Sequence, residues 1–130
     1  MSIDISEYKT LYIKTARDLI RTMSESLEQL RKDRCDEKAI GNFHRAAHSF
    51  KSQSLVMGYT KSGLAARMLE QIFRDMKDEL TCPTDQLMPI IEHTVNKFSD
   101  SINSIENQLG ELDLTEETEQ LNTLTAIPVI

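Results

Sequence analysis

The chain has 130 residues, 39% hydrophobic and 28% charged, enough for one packed domain with a polar surface. A formal net charge of −6 excludes a non-specific nucleic-acid binder, which needs a concentrated basic face. No apolar run approaches the ~20 residues of a membrane span, and the acidic start Met1-Ser2-Ile3-Asp4 lacks a signal-peptide hydrophobic stretch.

Only four glycines and three prolines interrupt a composition rich in Leu, Glu, Lys, Gln and Met, which favours helix. A first helix is expected from about Ser6 to Lys32, where Tyr12, Ala16, Leu19, Met23, Leu27 and Leu30 recur at three- and four-residue steps. Asp4 followed by Glu7 resembles a capping box at its start. Lys32-Asp33-Arg34-Cys35 reads as a polar turn. A second helix should begin after the cap Asp36 and end near Met57, with Gly58 just beyond. Its inward positions are Ile40, Phe43, Ala47, Phe50, Ser54 and Met57. A third runs from Thr60 to about Leu80, with Ala65, Leu69, Ile72, Met76 and Leu80 inward. Thr81-Cys82-Pro83-Thr84 breaks it, because proline disfavours helix at the residue before it.

Thr84 can cap a fourth helix, in which Met88, Ile91, Val95, Phe98, Ile102, Ile105 and Leu109 form a heptad seam. Pro89 lies near its start and bends it slightly, and Gly110 ends it. From Asp113 the pattern thins. Thr115-Glu116-Glu117 starts a short helix carrying Leu121 and Leu124, which docks weakly or leads into a linker at Pro128. Cys35 and Cys82 form no CxxC pair and read as two lone thiols near helix ends, in a reducing cytoplasm.

Four long amphipathic helices with short connections predict an all-α fold, an up-down four-helix bundle, because each apolar stripe must be covered by another. Residues 1–112 would form the bundle, and 113–130 a short additional C-terminal helix and the start of a linker.

The segment Ala46-Ala47-His48-Ser49-Phe50-Lys51 carries the functional signal. At 100° per residue, His48 lies about 130° from the core direction of its helix. Arg45 and Lys51, three residues to either side, and Ser52, four residues on, share its patch. Imidazole keeps a free lone pair at neutral pH, because its ordinary pKa is about 6.5. Attack on a γ-phosphoryl group would give an N–P bond, with nearby cations offsetting the charge of the phosphoryl oxygens. A carboxylate could hold the other ring nitrogen and fix the tautomer. A histidine between two cations also suits plain surface. The residues alone therefore leave two readings, a phosphoryl acceptor and a non-catalytic interaction bundle with an inert His48.

Residues 43–59, Phe-His-Arg-Ala-Ala-His-Ser-Phe-Lys-Ser-Gln-Ser-Leu-Val-Met-Gly-Tyr, resemble the signature of histidine phosphotransfer (HPt) domains. That signature is a histidine, a lysine three later, small residues, then a Leu/Phe-Gly turn. Met1-Ser2-Ile3-Asp4-Ile5-Ser6, Gly58-Tyr59-Thr60 and Leu69-Glu70 extend the resemblance to the N-terminal phosphotransfer domain of the CheA family of chemotaxis histidine kinases, over roughly residues 1–110. The resemblance implies that His48 is phosphorylated, that Lys51 lies beside the phosphoryl group, and that Glu70 accepts a hydrogen bond from the imidazole. By pattern alone Glu70 is an exposed charge beside the inward Leu69. Arg67 sits where relatives often carry a second histidine, and would supply positive charge.

The same resemblance implies two partners, a histidine kinase catalytic domain as donor and a response-regulator receiver domain as acceptor, in the cytoplasm. Neither membrane nor nucleic acid is implied. No Gly-rich phosphate loop is present, so the chain carries no kinase core and no cofactor of its own. ATP and Mg would be used by the kinase domain, and Mg by the receiver. Relatives usually have glycine after the lysine, where this chain has Ser52-Gln53, and His44 takes a place that is often aromatic. His44 and His48 could chelate a metal at i, i+4, but Gly41 and Arg45 stand where a di-iron bundle would place Glu. His93, beside Glu92, reads as surface.

Overall fold

Described over residues 5–125, the computed structural model is helical throughout: α1 (Ile5–Lys32), α2 (Glu37–Val56), α3 (Thr60–Glu79), α4 (Leu87–Glu106) and α5 (Thr115–Thr125). The expected cap Asp4, the N-terminal residues before Ile5 and the linker position Pro128 lie outside the described residues.

The first four helices alternate in direction. Tyr12, early in α1, shares a 2.8 Å hydrogen bond with Ser54, late in α2. Phe43, early in α2, stacks on Phe73, late in α3, with centroids 3.9 Å apart. Arg31, at the end of α1, meets Glu92, near the start of α4, at 2.7 Å. The architecture is the up-down four-helix bundle with a short C-terminal helix that the apolar stripes predict.

Local signals set the helix ends. The Asp36 carboxylate accepts the Ala39 N–H at 3.1 Å, and Gly58, at φ 83°, turns the chain out of α2. The Thr84 hydroxyl accepts the Leu87 N–H, and its carbonyl accepts that of Met88. α3 has no such side chain of its own at Tyr59. Glu111, from the α4–α5 connection, supplies the acceptor instead, taking the Ser62 N–H at 2.9 Å and its hydroxyl at 3.2 Å.

The core follows the predicted seams with local departures. Five of the six α2 positions are buried and Met57 is half-buried, while the α4 seam is buried from Met88 to Ile105. Leu19 is only half-buried, and Ile13 and Ile20 are buried beside it. Leu80 and Leu109, read as inward, are exposed. Leu80 adopts the left-handed conformation that ends α3 (φ 55°), and Gln108 does the same after α4 (φ 65°), so both leucines leave their helix phase.

Cys35 and Cys82, read as separate thiols, form a disulfide with Cα atoms 5.0 Å apart. An up-down topology brings the α1–α2 and α3–α4 turns to the same end, and a separation of 47 residues in sequence hides that proximity. α5 docks on α3 and α4, burying Leu121 fully while Leu124 is half-buried. The buried Glu117 of α5 accepts a 2.9 Å hydrogen bond from His93 Nε2 on α4. No helix among the described residues is long and apolar enough to cross a membrane.

Phe50 is fully buried, with its ring centroid 4.6 Å from that of Phe98. Phe50→Ala is expected to cost about 3–5 kcal/mol of stability by urea titration. An unchanged midpoint would show that this ring contributes nothing to the core.

Candidate functional site

α2 packs Phe43, Ala46, Ala47 and Phe50 inward. One residue past Ala47 the helix has turned about 100°, and the side chain emerges on the solvent side. The His48 side chain is accordingly 55% exposed. α3 runs antiparallel alongside and buries Ala65, Ala66, Leu69, Ile72 and Phe73. At Gly63 an added Cβ would overlap the Leu55 side chain, so glycine is what lets the start of α3 sit so close to the end of α2.

Glu70 corrects the sequence reading. Its side chain is only 4% exposed, because both flanks of α3 are covered, one of them by α2. A buried carboxylate must be paired to be tolerated. Here three donors meet it. His48 Nδ1 lies 2.7 Å from Oε1, Lys51 Nζ lies 2.7 Å from Oε2, and an Arg74 guanidinium nitrogen lies 3.1 Å from Oε1. Burial pushes the Glu70 carboxyl up. The hydrogen bonds from Lys51 and His48, and their charges, outweigh that effect and hold it below its ordinary value of 4.5.

An ionised carboxylate can only accept, so His48 Nδ1 carries the hydrogen of this bond. The neutral ring then keeps its lone pair on Nε2, the nitrogen away from Glu70. The arrangement presents a fixed, water-accessible nucleophile on a rigid helix, beside a cation whose side chain is 22% exposed, Lys51.

The other expected residues divide. Arg45 is exposed and hydrogen-bonds Asn42, one turn back. Ser52 is exposed and Gln53 half-buried. Arg67 is exposed and forms no ion pair with Glu70. Arg74, four residues after Glu70, holds that carboxylate instead. Sequence reasoning passed over it, although an acid followed by an arginine at i+4 is a legible helix pair.

His44 is half-buried, and both its ring nitrogens are buried without a partner among the described residues. Burial first, then the charges of Lys77 and Arg74, lower its pKa, which suits a neutral ring filling a place that is often aromatic. Among the described residues no group of three or more His, Cys, Asp or Glu is placed to hold a metal ion.

A family model described as "Hpt domain" matches residues 7–126. Among curated proteins the chain is similar to the chemotaxis protein CheA of Bacillus subtilis (strain 168), with 25% identity over 121 residues. That match covers 92% of this chain but only 18% of the relative, so the chain spans about a fifth of its length. Among solved structures it is similar to the phosphorylated P1 domain of CheA3 from R. sphaeroides, in complex with CheY6, at a TM-score of 0.83 and 20% identity. The likeness covers 92% of this chain and 96% of that one.

The depressed Glu70 value has a pH consequence. Stability owed to this carboxylate is complete above 4.5, the ordinary value, and is lost as pH falls through the lower folded one. The urea midpoint of the wild type should hold down to about pH 5 and fall below it. Glu70→Gln should lose about 1 kcal/mol at neutral pH and show a shallower acid-side fall. Equally steep falls in both proteins would assign the acid sensitivity to other groups.

Proposed function

The chain belongs to the Hpt domain family, and we propose that His48 is its phosphoryl carrier in a chemotaxis-type two-component system. The catalytic domain of a histidine kinase loads His48 from ATP, and an aspartate of a receiver domain unloads it. The observation that carries this reading is the His48–Glu70 pair, an exposed imidazole whose Nδ1 is held at 2.7 Å by a buried carboxylate.

The chemistry follows from that geometry. The Nε2 lone pair attacks the γ-phosphorus in line, the Nε2–P bond forms, and the bond from phosphorus to the bridging oxygen breaks. ADP leaves with the electron pair. The ring becomes positively charged while Nδ1 keeps its hydrogen, and Glu70 stabilises that charge through the existing bond. Lys51 is near enough to offset the phosphoryl oxygens. In the second step a receiver aspartate oxygen attacks phosphorus, the N–P bond breaks, and the pair returns to Nε2. Both partners need the same open face. The His48 ring is 55% exposed with Ser52 and Gln53 in place, which argues against the inert bundle.

ATP and Mg belong to the kinase domain, and Mg to the receiver. The site on this chain needs only its own side chains. ATP as the phosphoryl source favours the cytoplasm. There the Cys35–Cys82 bond meets a reducing thiol pool, in which disulfides seldom persist.

The test is incubation with a kinase core and labelled ATP, followed by a chase with a receiver and Mg. The label should be acid-labile and base-stable, should move to the receiver, and should be absent in His48→Gln. Persistent labelling of His48→Gln would end the assignment. Lys51→Ala should keep its helical circular dichroism yet load at least about tenfold more slowly. Wild-type rates in that folded variant would remove Lys51 from the mechanism.

A further inference from the structure

Glu70 carries one negative charge and faces three donors, two of them permanent cations on different helices. The two oxygens divide them. Oε2 holds Lys51 at 2.7 Å, and Oε1 is shared by His48 Nδ1 at 2.7 Å and Arg74 at 3.1 Å. Lys51 is three residues from His48 on the same helix, so its ammonium lies within reach of both Glu70 and a group on Nε2. Arg74 is on α3, four residues after Glu70, and one of its guanidinium nitrogens bonds Oε1, the oxygen that the ring also uses.

A phosphoryl group on Nε2 brings close to two negative charges onto the patch. Lys51, one turn from His48 and with a partly exposed side chain, is a cation that can reach it. If it turned to the phosphoryl oxygens with nothing in its place, Glu70 would keep only the imidazole as partner in a buried setting, which is costly.

We propose that Arg74 is a positioning residue that keeps Glu70 paired while Lys51 moves from the carboxylate to the incoming phosphoryl group. This deepens the reading of His48 as the carrier and rests on it. The role differs from the one expected of Arg67, which is exposed and makes no ion pair with Glu70. Arg74 itself does not touch the reacting atoms. It acts through Glu70 and Lys51, and its guanidinium is free to serve because its side chain is 49% exposed and bonds no other carboxylate among the described residues.

A double-mutant cycle tests the coupling. Initial loading rates are measured with the same kinase core for wild type, Arg74→Gln, Lys51→Ala and the double variant, with urea midpoints taken alongside. Arg74→Gln should load about fivefold more slowly while remaining folded, and Arg74→Lys should recover most of the loss. In the Lys51→Ala background Arg74→Gln should add no further slowing, because there is no lysine left to release. A 13C titration of the Glu70 carboxyl should also move to higher pH in Arg74→Gln, a change that a packing role alone would not produce. The same fivefold loss in both backgrounds, or wild-type loading by Arg74→Gln, would overturn the proposal while leaving His48 as the carrier. Absence of label on wild type would instead overturn the carrier reading beneath it.

Discussion

A single buried charge sets the terms for this molecule. The Glu70 carboxylate lies between α2 and α3, 4% exposed, and is tolerable there only because donors from both helices converge on it. Pairing of this kind is directional. It fixes how far α3 is rotated and how it is aligned against α2, since a shift by one residue would take the carboxylate out of reach of His48 and Lys51. The same contacts that make the charge bearable orient the imidazole, so the energetic requirement and the chemical one are met by the same atoms.

The rest of the bundle serves that alignment. Phe43 against Phe73 and Phe50 against Phe98 fill the core between α2 and its neighbours with rigid rings. Gly63 lets Leu55 lie over the start of α3. Glu111 reaches across from the α4–α5 connection to satisfy the first amides of α3. A ring held in this way keeps one orientation toward solvent, so it loses little orientational freedom in any encounter at that face.

What could be read from the sequence was what periodicity encodes. The helices, the seams from Met88 to Ile105 and along α2, and the outward direction of His48 all follow from a spacing of 3.6 residues. The burial of Glu70 does not, because the face of a helix that is covered twice is wider than its apolar stripe. Leu80 and Leu109 carry the right spacing but sit where the backbone has already left the helix, a backbone event that apolar spacing does not record. The Cys35–Cys82 bond depends on which turns share an end of the bundle, which is topology and not spacing. Arg74 was visible as a helix pair, but its importance appears only once its carboxylate is known to be inside.

The last helix has a bearing on how the module could be handled by itself. α5 seats Leu121 and the adjoining Leu114 out of water, and keeps the Glu117 carboxylate buried against His93. It therefore acts as a lid over one side of α3 and α4. A fragment trimmed at residue 112 would open an apolar trough along those two helices, and would free the tether that carries Glu111. Grafting or minimising experiments should take the excision point beyond Thr125, so that the helix that presents Glu70 keeps its outer wall.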